Sequence, residues 1–428
     1  MAEHFIAGES YERGAEYSRL EARKAQKAAS FIDAIVHAKK RTACLEKLPR
    51  AEDVEKKIID SRLTLGLYNI QSSFFNEAKE AIGPIVDLAV KYDDKRRLSQ
   101  IYTILGTYSF VSQEDYPKAF QYFQEALKIA EELKDFVTLW VASHWIGHAL
   151  LDSCEFESAL GYLERDLKIS TSANILWSIS IMKSCIAMNV YFWQGRADVA
   201  YQTSHDGLRL AEESGDTLSK AEAYTSHGIC CYGRGYMDEA KGHLVKGIAF
   251  SERISYSALG IAASIFLGEI YFDRGEYEKC QYYYNKSISF LEQSRIWPSR
   301  INLCKILLAR AKVMSNDKAI DLDSLFECAK QNKVKLQDGL MARGIAEILM
   351  NIDDDHIAEA EDWIHKAIDA DQKNGMRLDL GRDYALYAEF FKRRGDPLKA
   401  KENLGKAIEI LKECGADGWV SRYKKEMA

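Results

Sequence analysis

Along most of the chain, apolar residues recur three and four positions apart, the spacing that lines one face of a helix. Ala119, Phe123, Ala126 and Leu127 form one such run, and Ala400, Leu404, Ala407 and Ile408 form another. No strand-like alternation competes with it. A longer period organises these helices. A small residue on one helix is followed, across a turn, by alanine twelve positions on: Gly66 and Ala78, Gly147 and Ala159, Gly228 and Ala240, Ala388 and Ala400. Met188 with Ala200 and Gly268 with Cys280 keep the interval, and Gly106 with Ala119 is one residue longer. The first anchors fall at 66, 106, 147, 188, 228 and 268, a period of 40 or 41 residues. It extends to Ala309, Ile348 and Ala388, although the unit near Ala309 has lost its second small residue.

The turns are equally regular. Gly195, Gly235, Gly275 and Gly395 each stand five residues before the second small residue, where a left-handed glycine ends a helix without a Cβ penalty. Gly395-Asp396-Pro397 predicts a helix opened by an Asp cap with proline in its first turn, and Asp115-Tyr116-Pro117 is a variant of it. The pattern predicts an all-α fold, a right-handed α-solenoid of antiparallel helix pairs with a period of about 40 residues. Each pair buries its apolar face only by stacking on the next. The expected division is a partial N-terminal repeat at 1–48, a regular array at 49–300, a degenerate repeat at 301–345, and C-terminal repeats with a closing helix at 346–428. Tyr11 to Tyr17 reads as the second helix of a repeat with almost nothing before it. That predicts a native polypeptide that continues upstream. Cys414 to Val420 reads as a helix stop followed by the closing helix.

Composition narrows the class. Five prolines in 428 residues suit uninterrupted helices. A net charge of −6, with short basic runs such as Lys95-Arg96-Arg97 set among acidic residues, argues against a nucleic-acid partner. No apolar stretch reaches the roughly 18–20 residues of a membrane span. Nine scattered cysteines without a Cys-x-x-Cys pair fit reduced thiols, so a cytoplasmic location is expected.

Leu65-Gly66, Leu105-Gly106, Ile146-Gly147 and Leu267-Gly268-Glu269-Ile270-Tyr271, with Ala119, Phe123 and Ala126, resemble tetratricopeptide repeats over nearly the whole chain. The period departs from the usual 34 residues by roughly 1.7 helical turns, so longer helices are expected. The wording from Ala2-Glu3-His4-Phe5 to Lys24-Ala25, and from Ala360-Glu361-Asp362-Trp363 to Gly418-Trp419, is similar to tetratricopeptide tails of large bacterial signalling proteins. In those proteins a class III adenylate/guanylate cyclase domain, an AAA/STAND-type ATPase, or both precede the repeats. The resemblance implies a non-enzymatic sensor or docking arm. Its implied partners are proteins or peptides, with a cyclase or ATPase domain in the same native polypeptide.

The resemblance also implies a concave groove lined by first-helix residues three before, one after and four after each small anchor. Carried over, it marks Thr103, Thr107, His144, His148, Asn189, Phe192, Thr225, Tyr232, Glu269 and Phe272. Polar groups mixed with aromatics suit an extended peptide or a partner helix, and the aromatics equally suit packing between repeats. The Lys and Asn pairing of a carboxylate clamp is missing.

Catalytic motifs are missing too. There is no Gly-x-x-x-x-Gly-Lys-Ser/Thr loop, no His-Glu-x-x-His and no Gly-x-Ser-x-Gly. His144, His148 and Asp152 are spaced to share a helix face and could offer three metal ligands. Nothing recognisable completes that set, so the sequence assigns no metal and no cofactor. Cys230-Cys231 and Cys280 read as core packing, as does Tyr282-Tyr283-Tyr284. Two rival readings are a peptide or small-molecule sensor using His144, His148, Asn189 and Tyr232, and an α/α-toroid enzyme. The 40-residue period and an open-ended terminus count against the toroid.

Overall fold

The structure is a computed structural model that describes residues 1–28, 30–254 and 257–427. Among those residues there is no strand, and no helix is long and apolar enough to cross a membrane. The fold is all-α, a solenoid of antiparallel helix pairs. Packing divides it into two units. Unit 1 is Met1–Ile146 with Glu252–Ala258 and Ser294–Trp297, and unit 2 is Gly147–Ser251 with Leu259–Gln293 and Pro298–Ala428.

In unit 1 the helices are α1 (Ala2–Ala7), α2 (Tyr11–Lys27), α3 (Phe31–Glu46), α4 (Glu52–Gln71), α5 (Phe75–Ile82), α6 (Val86–Lys91), α7 (Lys95–Val111) and α8 (Tyr116–Leu133). The short α1 does precede the Tyr11 helix and packs on it. Helix α9 (Phe136–Asp152) carries the chain into unit 2. There follow α10 (Phe156–Ser172), α11 (Leu176–Cys185), α12 (Ala197–Ser214), α13 (Thr217–Arg234), α14 (Met237–Arg253), α15 (Ser257–Asp273) and α16 (Tyr277–Ser294). The array ends with α17 (Pro298–Met314), a short α18 (Leu322–Lys330), α19 (Asp338–Ile352), α20 (Ile357–Asn374), α21 (Arg377–Arg393), α22 (Pro397–Glu413) and α23 (Asp417–Met427).

The anchor glycines are places where helices touch. A Cβ on Gly228 would stand 2.7 Å from the Leu244 side chain, and one on Gly268 would stand 2.5 Å from the Tyr284 ring. Leu244, Tyr284 and Leu163 each lie sixteen residues after their glycine, and all three are fully buried. The recurring unit is therefore a glycine seat filled by a bulky residue one turn beyond the second small residue. The four turn glycines take φ of +73° to +80°. At the same register Ser73, Glu114 and Cys154 take φ of 61°, 49° and 60°, so the turn geometry persists where glycine is lost. Asp396 and Asp115 accept from the backbone N–H groups of Lys399 and Lys118, with proline in the first turn of each helix.

The C-terminal end of unit 2 is not open. Ala197 N donates to Cys414 O at 2.9 Å, and Trp419 Nε1 donates to Tyr232 O at 2.9 Å. A Cβ on Gly235 would stand 2.5 Å from Trp419 N. The chain end is thus seated against the turns that start α12 and α14. The sequence predicts a closing helix after Cys414, and α23 is that helix. Where it docks rests on a contact that spans 187 residues, which leaves no local spacing signal.

Candidate functional site

The candidate residues divide by what already holds them. Thr103 and Thr107 in α7 are buried, and each hydroxyl donates to the carbonyl four residues back at 2.9 Å. Their hydrogen-bonding capacity is used within the helix. His144 and His148 lie one turn apart on α9 and are partly exposed. Burial lowers the His144 imidazole to about 4, which keeps it neutral near pH 7. Thr225 faces inward between α13 and α14, where a Cβ on Gly247 would meet its hydroxyl at 2.4 Å.

Tyr232, Glu269 and Phe272 sit in a polar core that α17, α21 and α23 complete. Arg310 is 1% exposed; it donates to Glu269, donates to Glu347 at 2.9 Å, and lies 3.6 Å from the centre of the Phe272 ring. Burial alone would raise the Glu269 carboxyl. The Arg310 and Arg382 guanidinium groups and the Tyr284 hydroxyl outweigh it and hold the carboxyl below its usual range. Arg382 donates to the Tyr232 hydroxyl, lies 3.3 Å from Asp273 Oδ1, and stacks 4.8 Å from the Trp419 ring centre. The Tyr232 hydroxyl donates to Asp273 at 2.9 Å. Phe192 is buried against Phe266, which also packs on Tyr232. From Tyr232 onward the inner stripe is therefore occupied by the chain's own α17, α21 and α23.

Asn189 differs. It lies in a π-helical turn, Ile186–Tyr191, that continues α11, and such turns often mark functional positions. The residue is partly exposed, yet its Nδ2 is buried without a hydrogen-bond partner. One turn earlier, Cys185 Sγ lies 3.5 Å from Glu222 Oε1 of α13. Burial pushes the Glu222 carboxyl up to about 7. Asp166 in α10 is fully buried, with both carboxylate oxygens unpartnered, and burial pushes it up to about 8.

Asp166 gives a pH prediction. Its native carboxyl holds a proton that the unfolded chain releases near 3.8, so the native state binds more protons between about pH 4 and pH 8. Stability contributed there falls as pH rises, by up to about 1.4 kcal/mol per unit, and levels off above about pH 8. Asp166→Asn is expected to remove that slope. Urea unfolding of both proteins from pH 4 to pH 8 checks it: the difference in stability should grow with pH in favour of the variant.

Local spacing did not single out Glu222, Asp166, Arg382 or Trp419. The one visible signal was arginine in apolar first-helix contexts, as in Leu307-Leu308-Ala309-Arg310-Ala311; an arginine there requires an acidic partner brought in from another repeat.

Helix pairs seated on anchor glycines, with a first-helix stripe carrying polar and aromatic groups, define a tetratricopeptide-repeat protein. Residues 100–416 match the MalT-like TPR region. The chain belongs to that family. No curated protein matches it. Among solved structures it is similar to a Rap protein complexed with Competence and Sporulation Factor, at 17% identity and a TM-score of 0.53, covering 95% of this chain and 99% of that one. The Rap conjugation gene regulator of the plasmid pLS20, in complex with the Phr* peptide, is similar at 14% identity and a TM-score of 0.55, covering 84% and 96%. A STAND protein with a tetratricopeptide sensor from Pyrococcus horikoshii matches at 15% identity over 91% of this chain and 57% of that one. Its TM-score is 0.37.

Proposed function

We propose that the chain is a non-catalytic tetratricopeptide protein that recognises an extended peptide or protein segment at the Asn189 end of the inner stripe of unit 2. The observation that carries this is Asn189, a partly exposed residue in a π turn whose buried carboxamide nitrogen has no hydrogen-bond partner. A carboxamide presents N–H donors and a C=O acceptor, the complement of a peptide group. Cys185, one turn before Asn189, lies against the Glu222 carboxyl of α13, which burial pushes up to about 7. The family supports the reading, as do the two Rap structures, one solved with the Phr* peptide and the other with Competence and Sporulation Factor.

In the same proposal the array is the sensor or regulatory arm of a cytoplasmic signalling protein, with a cyclase or STAND-type ATPase domain as the part it governs. A ligand that prefers one curvature of the repeats would bias such a domain by its differential affinity for the two states.

The test is selection of binders from a random peptide library, followed by titration of the best one. Asn189→Ala is expected to weaken binding about tenfold, the loss of roughly 1–2 kcal/mol for an unmet hydrogen bond. Peptides that bind the variant and the parent equally would remove Asn189 from the site.

A further inference from the structure

A second cluster of side chains has no place in that reading. His227 and Cys231 lie one turn apart on α13, and Glu239 and His243 lie one turn apart on α14. The two pairs stand four and eight residues on either side of the Gly235 turn. Folding the antiparallel hairpin about that glycine therefore sets Cys231 opposite Glu239 and His227 opposite His243. One ligand atom from each residue falls within 4.8 Å of the other three. We propose that this quartet is a binding site for a zinc-class divalent metal ion, with two imidazole nitrogens, one thiolate and one carboxylate as ligands.

The surroundings are those of a metal site. His227 is 1% exposed, and its Nδ1 lies 2.9 Å from Ser204 Oγ of α12. That contact occupies one ring nitrogen and leaves Nε2, 3.7 Å from Glu239 Oε1, facing the cluster. An outer partner of this kind commonly orients a metal-bound imidazole. The Tyr201 hydroxyl, also from α12, donates to Glu239 Oε1 at 3.0 Å. His243 Nδ1 is buried with no hydrogen-bond partner, and Cys231 is fully buried.

The repeat supplies an internal control. The same four register positions hold Ala187, Tyr191, Val199 and Thr203 in the preceding repeat, and Leu267, Tyr271, Lys279 and Tyr283 in the following one. Packing alone requires no ligand residues there. Only this repeat of the three places four of them together.

A tetrahedral ion with bonds of about 2.0–2.3 Å needs ligand atoms roughly 3.4–3.8 Å apart. Closing from 4.8 Å is within the reach of small side-chain rotations. Binding deprotonates Cys231: the Sγ–H bond breaks, the proton leaves to solvent, and the sulfur lone pair forms the metal bond. Mixed nitrogen, sulfur and oxygen donors suit zinc over magnesium or calcium, which prefer oxygen. With four protein ligands the site is closed, so its role is to staple α13 to α14.

Titrating the metal-free full chain with cobalt(II) tests the assignment. One equivalent should bind with a thiolate-to-cobalt charge-transfer band and the visible bands of tetrahedral cobalt, and zinc should displace it. Cys231→Ser should abolish the charge-transfer band, and His243→Ala should weaken binding at least tenfold. Because Cys231 is buried, Glu239→Gln at the more exposed corner is the variant that preserves the fold. It should melt like the parent without metal and bind at least tenfold more weakly. Absence of the band in the parent, its survival in Cys231→Ser, or unchanged affinity in Glu239→Gln would overturn the proposal.

Discussion

Replacing Arg310 with alanine is expected to destabilise the fold by about 3–5 kcal/mol, the cost of removing one member of a buried ion pair. Arg310 is 1% exposed and bridges Glu269 of α15 and Glu347 of α19. Without it the Glu269 carboxylate keeps the Tyr284 hydroxyl and the weaker pull of Arg382, whose Nη1 lies 3.8 Å away. The cost therefore comes from the stranded acid, not from lost attraction. This makes the effect reversible by a second change. In Arg310→Ala with Glu269→Gln the buried charge is gone, and most of the lost stability should return. Urea unfolding of parent, single and double variants checks both statements, and a double variant no better than the single would show that packing of the Arg310 stem dominates.

The second large effect lies at the chain end. Trp419 is 1% exposed; it donates to Tyr232 O and stacks between Tyr423 and the Arg382 guanidinium. Trp419→Ala is expected to cost about 3–5 kcal/mol, as large-to-small changes of buried aromatics do. It should also release α23. Seating of that helix depends on the backbone approach of Gly418 to Gly235, where a Cβ on Gly418 would meet Gly235 O at 2.6 Å. Limited proteolysis would then cut near Ala416 in the variant and spare the parent. Tyr232 and Asp273 would become accessible at the same time, which lengthens the inner stripe beyond Asn189.

What the sequence disclosed follows from what is local. The 40-residue period, the turn glycines and the Asp-Pro helix starts are decided by contacts within one helix pair, and the structure carries each of them. The bulky residue sixteen positions after Gly147, Gly228 and Gly268 is local too, and it explains why Gly228 and Gly268 are small. The inner stripe is different. Its register comes from a family with a shorter repeat, and in this structure Thr225 lies against Gly247 of α14. Tyr232 and Glu269 are groove positions only by the family resemblance. They are covered by helices about 40 to 190 residues further along the chain, and no spacing rule within a repeat carries that contact. The buried acids Asp166 and Glu222 were missed for a related reason: each sits at an ordinary helical position, and burial by neighbouring repeats makes it unusual. The quartet around Gly235 escaped because its ligands come in two helical pairs across a turn, whereas motif scanning reads one strand of sequence at a time.

The proposal that this tetratricopeptide array reads a peptide at the Asn189 end of unit 2 is tested most directly by hydrogen exchange of the full chain with and without a selected peptide bound. Protection is predicted in α11 with its π turn and in the first half of α13, around Cys185, Asn189 and Glu222, and it should be lost in Asn189→Ala. Protection confined to the second helices α12 and α14, or undiminished in the variant, would contradict it.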